Sequence, residues 1–449
     1  MKDMIRIGNG QGFWGDSIDA PVRLAKDGPL DYLTLDYLAE VTMSIMQRQK
    51  LKNPNAGYAR DFPDLVKRIL PEIQDKGLKV ITNAGGVNPT ACRNELLELA
   101  KSSRKEIKIG VIQGDDIFPK LQELRNLGVA FDNMDTGESF DKVADQVYSA
   151  NVYINSSTIS EALEKEAQIV LAGRVSDPGL ALGPCIYEFN WNESDYNLLA
   201  AGTLAGHITE CGAQCTGGNY SRWQDVPDLA DIGYPIIEMR SDGIFCITKH
   251  KGSGGLVNRE TIGEQVLYEM GDPENYISPD VCVDFTSFAL KDLGDNIVEI
   301  DNVKGFTPTD TYKVSISYFA GYKAAGQLTI SGPNAYEKAQ LTAEIIWKRL
   351  TNAGAQFEDT STEYLGLSSC HGAINSIPDQ LNEVVLRLGV RDMDKDKVNR
   401  FGKEIAPVIT NGPPGITGFS GGRPKAQEIV AYWPALIPKE LVQSTVDVI

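Results

Sequence analysis

Over its first 190 residues the chain alternates short β-branched apolar runs with amphipathic stretches, and this alternation limits its fold more than any other feature. A strand buried on both faces reads as a continuous apolar run, and its connection to a parallel neighbour requires a long crossover. The pattern therefore predicts an α/β fold: an N-terminal, mostly parallel sheet with helices on both faces. The predicted strands are Met4 to Gly8, Asp31 to Leu35, Lys79 to Asn83, Lys108 to Ile112, Val152 to Asn155 and Gln168 to Ala172. Between them, Phe62, Leu65, Val66, Ile69, Leu70 and Ile73 recur at helical spacing over Asp61 to Lys76, with Gly77 placed to cap that helix. Thr90 to Lys101 and Phe118 to Leu127 repeat the pattern, and a further helix is expected after Gly15, capped by Asp16 or Ser17.

From about Tyr234 the pattern changes to antiparallel hairpins. Pro235 to Met239 and Ile244 to Lys249 flank Ser241-Asp242-Gly243, a tight-turn signal. Val281 to Ala289 with Asn296 to Ile300, and Tyr312 to Tyr318 with Gly326 to Ile330, read as two more hairpins. Helices are expected from Ala335 to Leu350 and from Lys395 to about Val408, and strands at Glu363 to Ser368 and Glu383 to Leu388. This portion reads as α+β. A chain of 449 residues exceeds what one core usually serves, so two domains are expected, 1–230 and 231–449, the second packed against the first.

Charge narrows the partners. There are 43 Lys and Arg against 61 Asp and Glu, a net charge of −18, and the cations form no stripe. Nucleic acid and anionic membranes are thereby disfavoured, because both are held by excess cations. No apolar run is long enough to span a bilayer, the N-terminus has no signal-peptide pattern, and the 7 cysteines do not form a disulfide framework. A cytoplasmic, reduced protein is expected.

Several segments are candidates for chemistry. Gly10-Gln11-Gly12-Phe13-Trp14-Gly15 follows the first strand, and Asp36 stands at the spacing of a dinucleotide fingerprint. Phe13 and Trp14 occupy the turn where a dinucleotide-binding helix would start, so another ligand or a structural turn stays open. Asn83-Ala84-Gly85-Gly86, Gly114-Asp115-Asp116 and Arg174 to Gly179 follow later strands, where open parallel sheets place ligands. Asp115 and Asp116 are candidates for metal binding, general-base work or a helix cap, and Arg174 for clamping a carboxylate or phosphate or pairing with Asp177.

His207 and Glu210 would share a helical face, as would Cys211 and Cys215, and Gly217-Gly218-Asn219 follows them. His207 suits acid–base chemistry; the cysteines suit core filling better than a nucleophile, and no second ligand pair supports zinc. Lys249-His250-Lys251-Gly252-Ser253-Gly254-Gly255 suits an anion or is an exposed hairpin end, and a helix is expected from near Arg259. The segment 411–424 is too rich in Gly and Pro for a regular element. No motif fixes a metal or cofactor.

The motifs RIGNGQGFWGDS at 6–17, DYLTLDYLAEVTMS at 31–44, ITNAGGVNP at 81–89, AGRVSDPGLALGP at 172–184, HITECGAQCTGGNYS at 207–221, HKGSGGLVN at 250–258 and PPGITGFSGGRP at 413–424 run nearly end to end. Together they resemble the acyclic terpene utilisation family, the AtuA-type proteins. The resemblance implies a place near the degradation of citronellol and geraniol as coenzyme A thioesters. Many members resemble this chain followed by a small α/β domain, which implies a separately encoded small partner subunit here, and a homo-oligomer is expected.

The expected activity is that of an enzyme on a small carboxylate or acyl-CoA, by hydratase, lyase or isomerase chemistry on a carbon acid. Asp115, Asp116, His207 and Glu210 are the catalytic candidates. Gly10, Gly12, Asn83, Gly85, Gly86, Arg174, Asp177, Gly217, Gly218, Asn219, Lys249, Ser253, Gly254 and Gly255 are the substrate-binding candidates. The alternatives are an NAD(P)-dependent oxidoreductase and a non-catalytic ligand-binding or scaffold subunit.

Overall fold

Five parallel strands lie side by side in the order Met4–Asn9, Tyr32–Leu35, Lys79–Thr82, Ile169–Leu171, Ile109–Gln113. The structure, a computed structural model, describes residues 2–38, 41–374, 381–418 and 421–449. Helices Ala20–Asp27, Phe62–Asp75 and Pro89–Ser102 pack on one face of these strands and Ser157–Glu164 and Gly179–Phe189 on the other, with Tyr196–Thr209 packed beside Gly179–Phe189 and against Pro235–Arg240. Strand residues are covered on both sides: Leu33, Val80, Ile109 and Ile169 join the cluster under the first set of helices, while Ile5, Ile7 and Ile81 are buried as well. Each such side chain contributes about 1.5–3 kcal/mol when fully buried. The six apolar residues from Phe62 to Ile73 form the buried stripe of their helix, and Gly77 follows its end with φ +70°.

The chain forms two compact units, Met1–Ser317 with Tyr432–Ile449, and Tyr318–Ala431. In the first, the change from parallel to antiparallel pairing occurs within one sheet. The hairpin Pro235–Arg240 and Phe245–Lys249 adds to Met4–Asn9, and Ile297–Asp301 and Ala289–Gly294 extend that edge, while Thr445–Val448 closes the far edge against Ile109–Gln113. In the second unit, Asp359–Leu365 and the strand ending at Ser331 flank Glu383–Asp392, and helices Ala335–Asn352 and Lys395–Ile405 bury the apolar side of that sheet. Among the described residues no helix is long and apolar enough to cross a membrane.

Four expectations about elements are corrected. The strand expected at 152–155 is Val147–Val152, and it pairs with the long strand Thr311–Ser331 instead of entering the parallel sheet. That long strand is continuous for 21 residues, so no hairpin forms between Tyr312 and Ile330; strand-length alternation alone does not reveal a turn. Val281 to Ala289 divides: Cys282–Asp284 joins Tyr276–Ile277 and Lys304–Phe306 in a small sheet, and Ala289–Gly294 alone pairs with Ile297–Asp301. The first helix starts at Ala20, not beside Gly15; Ser17 Oγ accepts the Ala20 N–H at 3.2 Å. Ala39 and Glu40 of the 31–44 motif, and Phe419 and Ser420 of the 411–424 segment, lie outside the described residues.

Candidate active site

The loops at the C-terminal ends of the parallel strands converge on a buried polar network. Asn83 Nδ2 donates to Asp36 Oδ1 at 2.7 Å, and Asn83 Oδ1 accepts the Tyr37 N–H at 2.7 Å. Asp115 Oδ2 accepts the Arg174 N–H at 2.8 Å and an Asn151 Nδ2–H at 3.0 Å. The Arg174 guanidinium is 1% exposed: it lies 2.8 Å from Asp177 Oδ1, donates to the Leu38 carbonyl and sits 4.1 Å from the centre of the Tyr153 ring. Desolvation pushes the Asp115 carboxyl up to about 7 against the opposing Arg174 N–H. Burial and the nearby Asp177 charge raise Asp36 well above the carboxylate range.

This network backs onto a cavity of about 490 Å³, a size usual for small-molecule sites. Ser176, Asp177 and Pro178 form part of its wall, and His207 and Glu210 enter from the end of helix Tyr196–Thr209. Two contacts place that helix end. Asn9 Nδ2 donates to the Thr209 carbonyl at 2.6 Å, and a Cβ at Gly206 would collide with the Pro178 carbonyl oxygen. Glycine at 206 thus permits the close approach that sets His207 beside Asp177.

His207 is buried between aromatic rings, with Tyr276 and Phe285 at 5.3 and 5.2 Å between ring centres. Its Nε2 lies 3.3 Å from the Val266 carbonyl, which only accepts, so the proton belongs on Nε2. Nδ1 then faces Glu210 Oε1 at 3.5 Å. Burial pushes Glu210 up to about 7. Burial also pulls the imidazole down, but the Glu210 hydrogen bond and charge outweigh it and raise His207. Both groups hold protons more tightly than in water, so the pair retains one near neutral pH. Glu210 Oε2 is buried and has no hydrogen-bond partner among the described residues. Such a pair, with one buried oxygen lacking a partner among the described residues, has the chemistry to give or take a proton in the cavity.

The sequence pattern of the acyclic terpene utilisation family protein AtuA matches residues 5–448, nearly the whole chain. The chain belongs to that family. No curated protein and no solved structure matches it. In this AtuA family member, the motif at 172–184 and the motif at 207–221 meet at the cavity through Asp177, His207 and Glu210.

The remaining predicted residues of the AtuA chain are placed elsewhere. Asp115 is absent from the cavity's lining and holds the Arg174 N–H behind it, and Asp116 accepts the Phe118 N–H at 3.1 Å, ahead of the turn Phe118–Lys120. Arg174, walled in by Leu38, Tyr153 and Asp177, supports the turn and has no surface for a substrate carboxylate. Among the described residues, none of the predicted glycines, Asn83, Asn219, Lys249 or Ser253 lines the cavity. Their backbones meet the protein's own chain. Gly12 N–H donates to Asp16 at 3.0 Å, and a Cβ at Gly10 would strike Pro21. Gly85 and Gly86 are packed against Ala172 and Met46. Gly218, Gly254 and Gly255 N–H groups bond the Ala213, Asp231 and Pro227 carbonyls, Gly217 bonds Gln214, and Lys249 Nζ donates to the Ser253 carbonyl at 2.8 Å. Burial pushes the Cys211 thiol up to about 12, and Cys215 higher still, which disfavours a thiolate nucleophile.

Several cavity residues carried no sequence signal. Lys313 lines the wall, with Nζ 5.0 Å from the Tyr153 ring centre and 5.6 Å from that of Tyr432, and has no carboxylate within ion-pair distance among the described residues. It stands inside a strand-like run and no motif marks it. Glu269 also lines the cavity, held at φ +54°, a left-handed conformation that non-glycine residues rarely adopt. Tyr276, Ser278 and Tyr312 add ring faces and hydroxyls.

Proposed function

We propose that the chain is an enzyme of small-carboxylate or acyl-CoA metabolism that moves a proton at a carbon acid, by lyase, hydratase or isomerase chemistry. The observation that carries this reading is the Glu210–His207 pair: a carboxyl raised to about 7, with a free buried oxygen, in a cavity of about 490 Å³. A base with that value operates near neutral pH with both protonation forms accessible. Glu210 takes the proton from the carbon beside the substrate's carbonyl. His207 carries the compensating positive charge, and Lys313 holds the substrate's anionic end. The same carboxyl, now protonated, returns the proton to the product. Aromatic faces of Tyr276 and Tyr312 pack the uncharged part of the substrate.

The test is a panel of small 2-hydroxy and 2-oxo carboxylates and short CoA thioesters in deuterated water. Wild type is expected to wash deuterium into the carbon beside the carbonyl of at least one member, and Glu210→Gln is not. Exchange by Glu210→Gln at the wild-type rate would overturn the reading.

A further inference from the structure

We propose that an open groove on the second unit binds the phosphate groups of a small phosphorylated molecule. The groove measures about 730 Å³ and is lined by strands Thr311–Ser331, Asp359–Leu365 and Glu383–Asp392 and by the segment 421–427. Alternation along the strands sets its character. Ala324 and Val390 point into the helix-covered core, so Lys323, Ala325, Gly389 and Arg391 fall on the other side.

The strand register places Lys323 directly opposite Arg391. Like charges facing each other across an antiparallel pair are destabilising. Asp359 offsets one of them, lying 3.3 Å from Arg391. The neighbouring row is different: there Arg387 stands opposite Gln327 and is held by both oxygens of Glu363. Arg423 and Lys425 add two further cations to the groove. Neither they nor Lys323 has an ion-pair partner among the described residues. On a chain of net charge −18, this is a concentration of positive charge around one carboxylate.

The floor leaves room for a ligand. Ala325 and Gly389, both small, sit side by side there, and a Cβ at Gly389 would press on Ser361 Oγ at 2.5 Å. Gly421 and Gly422 at the rim are both left-handed, with φ +77° and +79°. Clustered cations and hydroxyls beside two glycines suit an oxyanion with two or more charges. The groove exceeds what a bare phosphate fills, which leaves space for the remainder of a nucleotide-sized molecule.

Isothermal titration with inorganic phosphate, pyrophosphate, 3′,5′-ADP and coenzyme A tests this, using wild type, Lys323→Gln with Arg423→Gln, and Glu210→Gln. The bisphosphorylated probes are expected to bind, to weaken as salt rises, and to bind Glu210→Gln as tightly as wild type. The double variant is expected to lose about tenfold or more in affinity. Lys323→Gln alone is expected to keep or raise the melting temperature, since it relieves the like-charge pair. The proposal fails if no phosphorylated probe binds, if the double variant binds equally well, if Lys323→Gln lowers the melting temperature, or if poly-aspartate binds and the phosphates do not. Unchanged binding by Glu210→Gln keeps this test separate from that of the proposed proton transfer.

Discussion

His207 Nδ1 faces Glu210 Oε1 at 3.5 Å, while His207 Nε2 is anchored 3.3 Å from the Val266 carbonyl. The carbonyl fixes the ring's tautomer and orientation, so the second nitrogen is committed to Glu210. One proton then serves two sites, and small movements of substrate charge decide where it resides.

Removing either member should therefore cost turnover and not folding. Glu210→Gln and His207→Gln are expected to lower kcat about 10²–10⁴-fold, the usual range for a general acid–base residue. Far-UV circular dichroism should match wild type. Where Glu210 acts as base, its carboxyl must be ionised, so the rate should climb as pH passes about 7, and this limb should vanish in Glu210→Gln.

Lys313 and Arg174 should separate cleanly. Lys313→Met removes the ammonium that lines the cavity and is expected to raise KM for an anionic substrate about thirtyfold, the loss of roughly 2 kcal/mol from a charge-assisted contact. Arg174→Gln leaves Asp177 and Asp36 without their buried cation and should destabilise the fold by about 3–5 kcal/mol. Steady-state kinetics and thermal melts of both variants check this; a KM effect at Arg174 without destabilisation would contradict it.

Gly206→Ala tests how the site is assembled. The new methyl meets the Pro178 carbonyl and must push the helix from the turn that bears Asp177. The expected cost is about 1–3 kcal/mol in stability. Turnover should fall as well, because His207 follows in the same helical turn.

Asp115 predicts a pH dependence of stability. Its carboxyl rises from an ordinary value of 3.8 to about 7 on folding, mainly by desolvation. The folded state therefore holds a proton that the unfolded state has lost, and stability is full below about pH 4 and declines as pH rises to about 7. Denaturant titrations across that range should show the decline flattened by about 2–4 kcal/mol in Asp115→Asn.

The parallel strands and the helix at Phe62 were legible because apolar periodicity dictates burial there. The long strand through Tyr318 differs from the expected hairpin, since the interval 319–325, rich in Ala and Gly, looks like a turn although the strand continues through it. At the site, His207 and Glu210 were legible from their helical spacing and Asp177 from its loop after a strand. The glycine-rich loops misled because glycine also serves close packing: Gly254 and Gly12 let backbone meet backbone, which single-sequence spacing does not distinguish from an anion nest. Glu269 and Tyr276 are near neighbours in the chain, but Lys313 and His207 come from distant segments, and only folding brings them all to one wall.

The most direct test of the account is the titration of the Glu210 carboxyl itself, followed by infrared difference spectroscopy of wild type against Glu210→Gln. A protonated carboxylic-acid band is expected, present in wild type and absent in the variant, that disappears with a midpoint near pH 7. A midpoint at the ordinary glutamate value of 4.5 would show that Glu210 is a plain carboxylate at neutral pH, and would contradict its role as the proton carrier.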